Sequence, residues 1–231
     1  MLKKDLNEYI ISGLKNFFEV NGYKLKKTSE LIMFVKNVND GFQDIAISST
    51  NYYDTHFLSF GYSKRVNMIE NVLLDLEKEF IPNMFHLSKS NSTYYLNVSY
   101  NQALPSWLKQ EIKTEHDVDK YINWIIQYTD KHAFDRFEYL DDVKTVDSEI
   151  NGDNFWLDEI NKPFGLHRFD VYRIVIAKLA KSPDEFENFK NDLLAIEEKR
   201  LEQIRQSDEK YKDLENWFVP KILTHLEKIV N

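Results

Sequence analysis

The chain has 231 residues, 42% of them hydrophobic and 14% aromatic, and its 30 Lys and Arg against 38 Asp and Glu leave a net charge of −8. Its 16 Phe, 13 Tyr and 4 Trp supply ample core material, which excludes a disordered chain, and the absence of cysteine excludes disulfides, thiolate zinc sites and cysteine nucleophiles. The acidic balance disfavours nonspecific nucleic-acid binding, which needs a basic face to neutralise phosphates, and favours solubility or a basic partner.

Met1-Leu2-Lys3-Lys4 opens like a signal peptide, but Asp5, Asn7, Glu8 and Ser12 interrupt any apolar stretch. No uncharged apolar run approaches the roughly 20 residues of a membrane span, so the expectation is a cytoplasmic protein without membrane contact. Leu6, Tyr9, Ile10, Leu14, Phe17 and Phe18 recur at helical spacing over Asp5–Asn21, and Asn21-Gly22 supplies a stop. Leu31-Ile32-Met33-Phe34-Val35 reads as a strand. Asn39-Asp40-Gly41 then turns the chain into a second strand, Phe42–Ser48, in which Gln43, Ile45 and Ile47 alternate with Asp44 and Ala46. Further strands are predicted at His56–Tyr62 and Thr93–Ser99, with a helix between them over Val66–Phe80.

Beyond Pro105 the strand signal disappears. Helices are predicted over Val118–Tyr139, Arg168–Lys181, Pro183–Arg205 and Glu209–Val230, with Ser182 as the N-cap and Pro183 as the first residue of the third. Phe186, Phe189, Leu193 and Ile196 hold a heptad-like register too short for a coiled coil, which favours packing on a neighbouring helix over dimerisation through the C-terminal helices. The fold class is therefore α+β. Residues 1–104 form an N-terminal helix with an antiparallel sheet and residues 105–231 a mostly helical half, either separate or packed as one unit.

Eight acids between Glu138 and Ile160 face Lys144 alone, so this stretch carries −7 of the net charge. It also holds Tyr139, Phe155 and Trp156, and carboxylates interleaved with aromatics can steer a basic partner and then anchor it. The bland alternative is a solvated connector. Asp147, Glu149, Asn151, Gly152, Asp153 and Asp158 fall in the register of a calcium loop, but Glu149, Asn154 and Asp158 depart from its pattern. No metal or other cofactor is expected. His132–Asp135 and His167–Asp170 repeat one spacing, which could bring two His and two carboxylates to a metal but which structural pairing or chance explains better. Lys24, Lys26 and Lys27, with Lys64 and Arg65, suggest either a basic patch or a lysine-guarded sheet edge. Phosphate-binding glycine loops, nucleophile elbows, zinc-protease helices and kinase motifs are all missing from the sequence, so an enzyme is the less favoured reading.

The opening helix ending in Phe17-Phe18-Glu19-Val20-Asn21-Gly22-Tyr23-Lys24, followed by strands and Phe57-Leu58-Ser59-Phe60-Gly61-Tyr62, resembles a group of uncharacterised bacterial α+β domains. Some of those are similar to immunity proteins for secreted toxins. The resemblance covers the first third to half of the chain and implies a binding role. The expectation is a non-catalytic, immunity-like protein that holds a basic, toxin-like partner through Glu138, Asp141, Asp142, Asp147, Glu149, Phe155 and Trp156. The alternative is an enzyme or small-ligand binder with a cleft between the halves that uses His132 and His167.

Overall fold

The computed structural model describes residues 3–28, 31–52, 55–80, 92–98, 112–152, 166–205 and 219–229. An N-terminal helix, a five-stranded antiparallel sheet and a mostly helical second half make it an α+β protein. Helix α1 (Lys3–Val20) turns Leu6, Ile10, Leu14 and Phe18 onto one stripe, and all four are fully buried. It stops as the Asn21-Gly22 step implies. Gly22 takes φ +84°, its N–H reaches Glu19 O at 3.0 Å, and the Tyr23 N–H reaches Phe18 O at 2.9 Å.

Strands β1 (Lys24–Lys27), β2 (Leu31–Val38), β3 (Gly41–Tyr52), β4 (Thr55–Val66) and β5 (Tyr94–Asn97) lie in chain order across the sheet. The Asn39-Asp40 turn joins β2 to β3. Gly41 has φ +124°, and a Cβ there would lie 2.0 Å from Arg65 O, so no other residue fits without moving the backbone. The register pairs Phe34 with Ile45, Ile45 with Tyr62 and Ile47 with Phe60, which collects the large side chains on one face. Helix α1 packs on that face, with the Phe18 and Phe34 rings stacked at 4.3 Å. The opposite face carries small and polar groups, including Asp44, Ala46 and Ser48 beside Ser63, Gly61 and Ser59.

Strand β1 is an edge, and Lys24, Lys26 and Lys27 are exposed along it. Lys64 and Arg65 are buried, so the basic side chains do not form one exposed patch. Lys64 Nζ donates instead to Phe137 O near a helix C-terminus, where a cation satisfies a terminal carbonyl.

The single helix expected over Val118–Tyr139 is three consecutive pieces. Helix α3 (Glu115–Tyr128) starts at a capping box between Thr114 and Asp117 and buries Val118, Tyr121, Ile122 and Ile125. A π turn (Thr129–Ala133) follows, closed by the Phe134 N–H bonding to Thr129 O, and α4 (Phe134–Tyr139) completes the run. Helix α3 also meets α1. A Cβ at Gly13 would come within 2.6 Å of Ile122 Cδ1, so the absent side chain is what admits the isoleucine.

Helix α2 (Asn67–Phe80), α5 (Val143–Asn151), α6 (Leu166–Ala180), α7 (Pro183–Arg205) and α8 (Val219–Ile229) supply the remaining described elements. Ser182 caps α7 as its sequence implies, exchanging hydrogen bonds with Glu185. Within α7, Phe186 and Leu193 are buried, which is internal packing of the heptad-like stripe. The expected start of the last helix at Glu209 lies outside the described residues. By contact density the chain forms two interleaved units, residues 1–67 with 92–140 and residues 68–91 with 141–231, so the expected boundary at 104 falls inside the first.

Thr129 is fully buried, and its hydroxyl meets no hydrogen-bond partner among the described residues. Valine keeps its shape and removes an unmatched polar group. Thr129→Val is therefore expected to raise the unfolding free energy by about 1 kcal/mol in urea titrations.

Candidate functional site

The described part of the acidic segment, residues 138–152, is not a loop. Asp142 accepts the Lys144 N–H at 2.9 Å and starts α5, a helix whose Val146 and Ile150 are buried. The run of charges hid this helix, although Val143, Val146 and Ile150 have its spacing. Asp147, expected at a partner surface, is 7% exposed. It takes an ion pair from Lys181 Nζ at 2.5 Å and a hydrogen bond from Asn151 Nδ2 at 2.7 Å. Asn151 in turn accepts Arg173 Nε at 2.9 Å and donates to Arg173 O at 3.1 Å. Arg173 and Lys181 also lie 5.9 and 5.8 Å from the centre of the Phe189 ring. Asp147 thus ties α5 to α6 and the start of α7.

The rest of the expected surface divides. Glu138 is exposed at the end of the first unit, Asp141 and Asp142 are exposed at this start of the second, and Glu149 is half-buried. Phe155 and Trp156 lie outside the described residues. Helix α5 also dismantles the calcium-loop register. Residues two apart on a helix point to nearly opposite sides, so Asp147 and Glu149 do not converge. Gly152 has φ −82° rather than a left-handed turn, and Asp153 and Asp158 are outside the described residues. No group of three or more metal-ligating side chains occurs among the described residues.

Lys144, Asp147, Ala180, Lys181, Ser182 and Glu185 line an open depression of about 450 Å³ within the second unit. Its polar groups are largely engaged with one another. Asp147 holds Lys181, and Ser182 holds Glu185, whose carboxyl that hydroxyl and the Ser182 N–H keep below the usual range.

On the polar face of the sheet, Ser63 Oγ donates to Asp44 Oδ2 at 2.5 Å and lies 2.7 Å from Ser92 Oγ. Because the Ser63 proton goes to Asp44, Ser92 donates to Ser63. The chain of hydroxyls leads from a largely buried carboxyl to a half-exposed serine. It can relay or share a proton. Burial raises the Asp44 pKa above its ordinary 3.8, against smaller opposing effects of Ser63 and Lys26.

The π turn and α4 carry an aromatic and cationic row that sequence reasoning missed. The Tyr128 ring lies 5.2 Å from Trp124 and 4.9 Å from His132. The Arg136 guanidinium stands over two rings, Tyr94 at 5.3 Å and Tyr139 at 5.1 Å. The three-residue spacing of Arg136 and Tyr139 was visible in the sequence, whereas Tyr94 required the sheet register. His132 is exposed, and the side chain of His167 lies outside the described residues. No helix among the described residues is long and apolar enough to cross a membrane.

Removing Lys181 strands a buried carboxylate. Lys181→Met should cost about 3 kcal/mol in urea unfolding, and adding Asp147→Asn should recover part of that loss. Asp44 titrates in the opposite sense from an ion-paired acid. Its folded pKa is raised, so its contribution to stability is fully present below 3.8 and is lost as pH rises through the folded value. Asp44→Asn, which can still accept from Ser63, should stabilise the protein at neutral pH, with the difference shrinking as pH falls toward 3.8. Thermal melts across that range read it directly. No protein-family model matches the chain, and comparison with curated proteins and with solved structures gives no match, so the functional reading rests on its own residues.

Proposed function

We propose that this chain is a non-catalytic, immunity-like protein that binds a basic, toxin-like protein partner through acidic side chains beside an exposed aromatic ring. The observation that carries this reading is Tyr139, 42% exposed and stacked on Arg136, next in sequence to exposed Glu138 and two and three residues before exposed Asp141 and Asp142. Large apolar side chains left in water beside unlike-charge attractors are the composition of a binding anchor with a steering rim. Asp147 drops out of the surface because its charge is matched internally. Glu138, Asp141 and Asp142 remain as its exposed acids.

Asp142 needs separate handling, since it caps α5; serine retains the cap without the charge. The test is affinity capture from lysate of the native source by the wild-type chain and by a Glu138→Lys, Asp141→Lys, Asp142→Ser variant. The expected result is one basic protein retained in stoichiometric amount by the wild type and released by high salt. The variant should associate with the purified partner about tenfold more slowly at low ionic strength, with its melting temperature unchanged. Equal association by both proteins would remove the acidic surface from the reading.

A further inference from the structure

Strand β2 is apolar on both of its faces. Leu31-Ile32-Met33-Phe34-Val35 runs without the alternation of a strand that has one wet side, and such a run marks a strand covered twice. Only one side is well covered. Ile32 and Phe34 are buried on the face that meets α1, whereas Leu31, Met33 and Val35 on the other face stay half-exposed. Three adjoining aliphatics left partly in water favour a second apolar surface against them.

The charges that flank β2 identify that second surface. The register sets Lys24, Val35 and Asp44 in one row across β1, β2 and β3, with Lys26 two residues along β1 on the same face. Both lysines are exposed, and neither makes an ion pair among the described residues. Asp44 accepts from Ser63 through one oxygen, and no described group donates to the other. The aliphatic strip therefore has cations on one side and an acid on the other. A purely acidic partner would answer the lysines and meet Asp44 without compensation, and a purely basic one would do the reverse. A second copy of the chain answers both. A two-fold axis running along β2, midway between two stacked sheets, lays β2 on β2 and each β1 on the β3 of the other copy. Lys24 of each chain then comes opposite Asp44 of the other, twice by symmetry. Sheets stack about 10 Å apart, a gap that an extended lysine spans.

We propose that the chain forms a homodimer through this open sheet face, Leu31, Met33 and Val35 packing against their own counterparts and Lys24 and Lys26 pairing with Asp44 of the other copy. Three overlapping strands make a patch smaller than the roughly 800 Å² per partner of a standard interface, so the dimer is weak and concentration-dependent. It uses none of the acids assigned to the toxin-like partner, and the two proposals stand or fall separately.

The test is sedimentation equilibrium of the full chain from micromolar to millimolar concentration. The wild type should pass from monomer to dimer across that range. Met33→Asp sets two carboxylates against each other on the axis and should weaken association about a hundredfold. Lys24→Glu with Lys26→Glu, in one chain, should weaken it about tenfold or more, and so should Asp44→Lys in another. Mixed one to one, these two proteins regain both cross pairs and should associate with each other about as well as the wild type does with itself. An interface elsewhere on the molecule would not give that rescue. Circular dichroism of the Met33 and lysine variants should match the wild type, since none of those side chains is buried. If Asp44→Lys, which also gives up the Ser63 hydrogen bond, changes the spectrum, the other two variants decide alone. A monomer at every concentration overturns the proposal, and so does a dimer that Met33→Asp and the lysine reversals leave unchanged.

Discussion

The first unit depends on how closely α1 can approach its neighbours. Leu6, Ile10, Leu14 and Phe18 bury themselves completely, and each such side chain contributes on the order of 2 kcal/mol relative to exposure. That stripe lies against a sheet whose pairing puts Phe34, Ile45, Ile47, Phe60 and Tyr62 on the same face. Gly13 lets α3 come to α1 from another side, because Ile122 occupies the space a larger residue would fill. If α1 stood farther out, α3 would lose its seat, and with it the position of the π turn and α4, which carry Arg136 and Tyr139.

Inside this apolar frame, Thr129 apart, several buried polar groups are matched. The Tyr23 hydroxyl donates to Gln43 at 2.9 Å, and burial pushes its pKa well above the ordinary phenol range. Lys64 finds a helix-terminal carbonyl, and fully buried Glu70 accepts from the Tyr172 hydroxyl at 3.2 Å in the second unit. Buried polar groups cost little when paired and a great deal when stranded. Such pairs fix which strand and helix lie together, which nonspecific apolar contact does less sharply.

Much of the first unit was legible because its signals are local. The Asn21-Gly22 stop, the Asn39-Asp40-Gly41 turn, the alternation of Gln43, Ile45 and Ile47, and the Ser182-Pro183 helix start each need only a few neighbouring residues. Strand β1 was missed because Lys24, Lys26 and Lys27 on an edge carry no apolar alternation. Helix α5 was missed because its two buried aliphatics, Val146 and Ile150, sit among carboxylates. The fate of Asp147 was illegible for a deeper reason. Its partner Lys181 lies 34 positions away, and only the packing of α5 on α6 brings them together. The same holds for Tyr94, which reaches Arg136 through sheet register rather than sequence spacing. Charge density marked a stretch of chain but not which of its acids face water.

The interleaving of the two units has a consequence for how the chain is made. It passes from one unit to the other at residues 67/68, 91/92 and 140/141, so neither unit is a continuous fragment. As the polypeptide leaves the ribosome, helix α2 emerges long before the helices of its own unit, while β1 to β4 wait for β5, α3 and α4 to follow. The amphipathic face of α2 is thus held without its native neighbours for most of synthesis, the interval in which an apolar helix face is open to chaperones and to mispairing. The first unit has all its residues once position 140 is made, whereas the second must wait for the helices beyond it, and a recombination event that cut the chain anywhere between residues 68 and 140 would break both units at once.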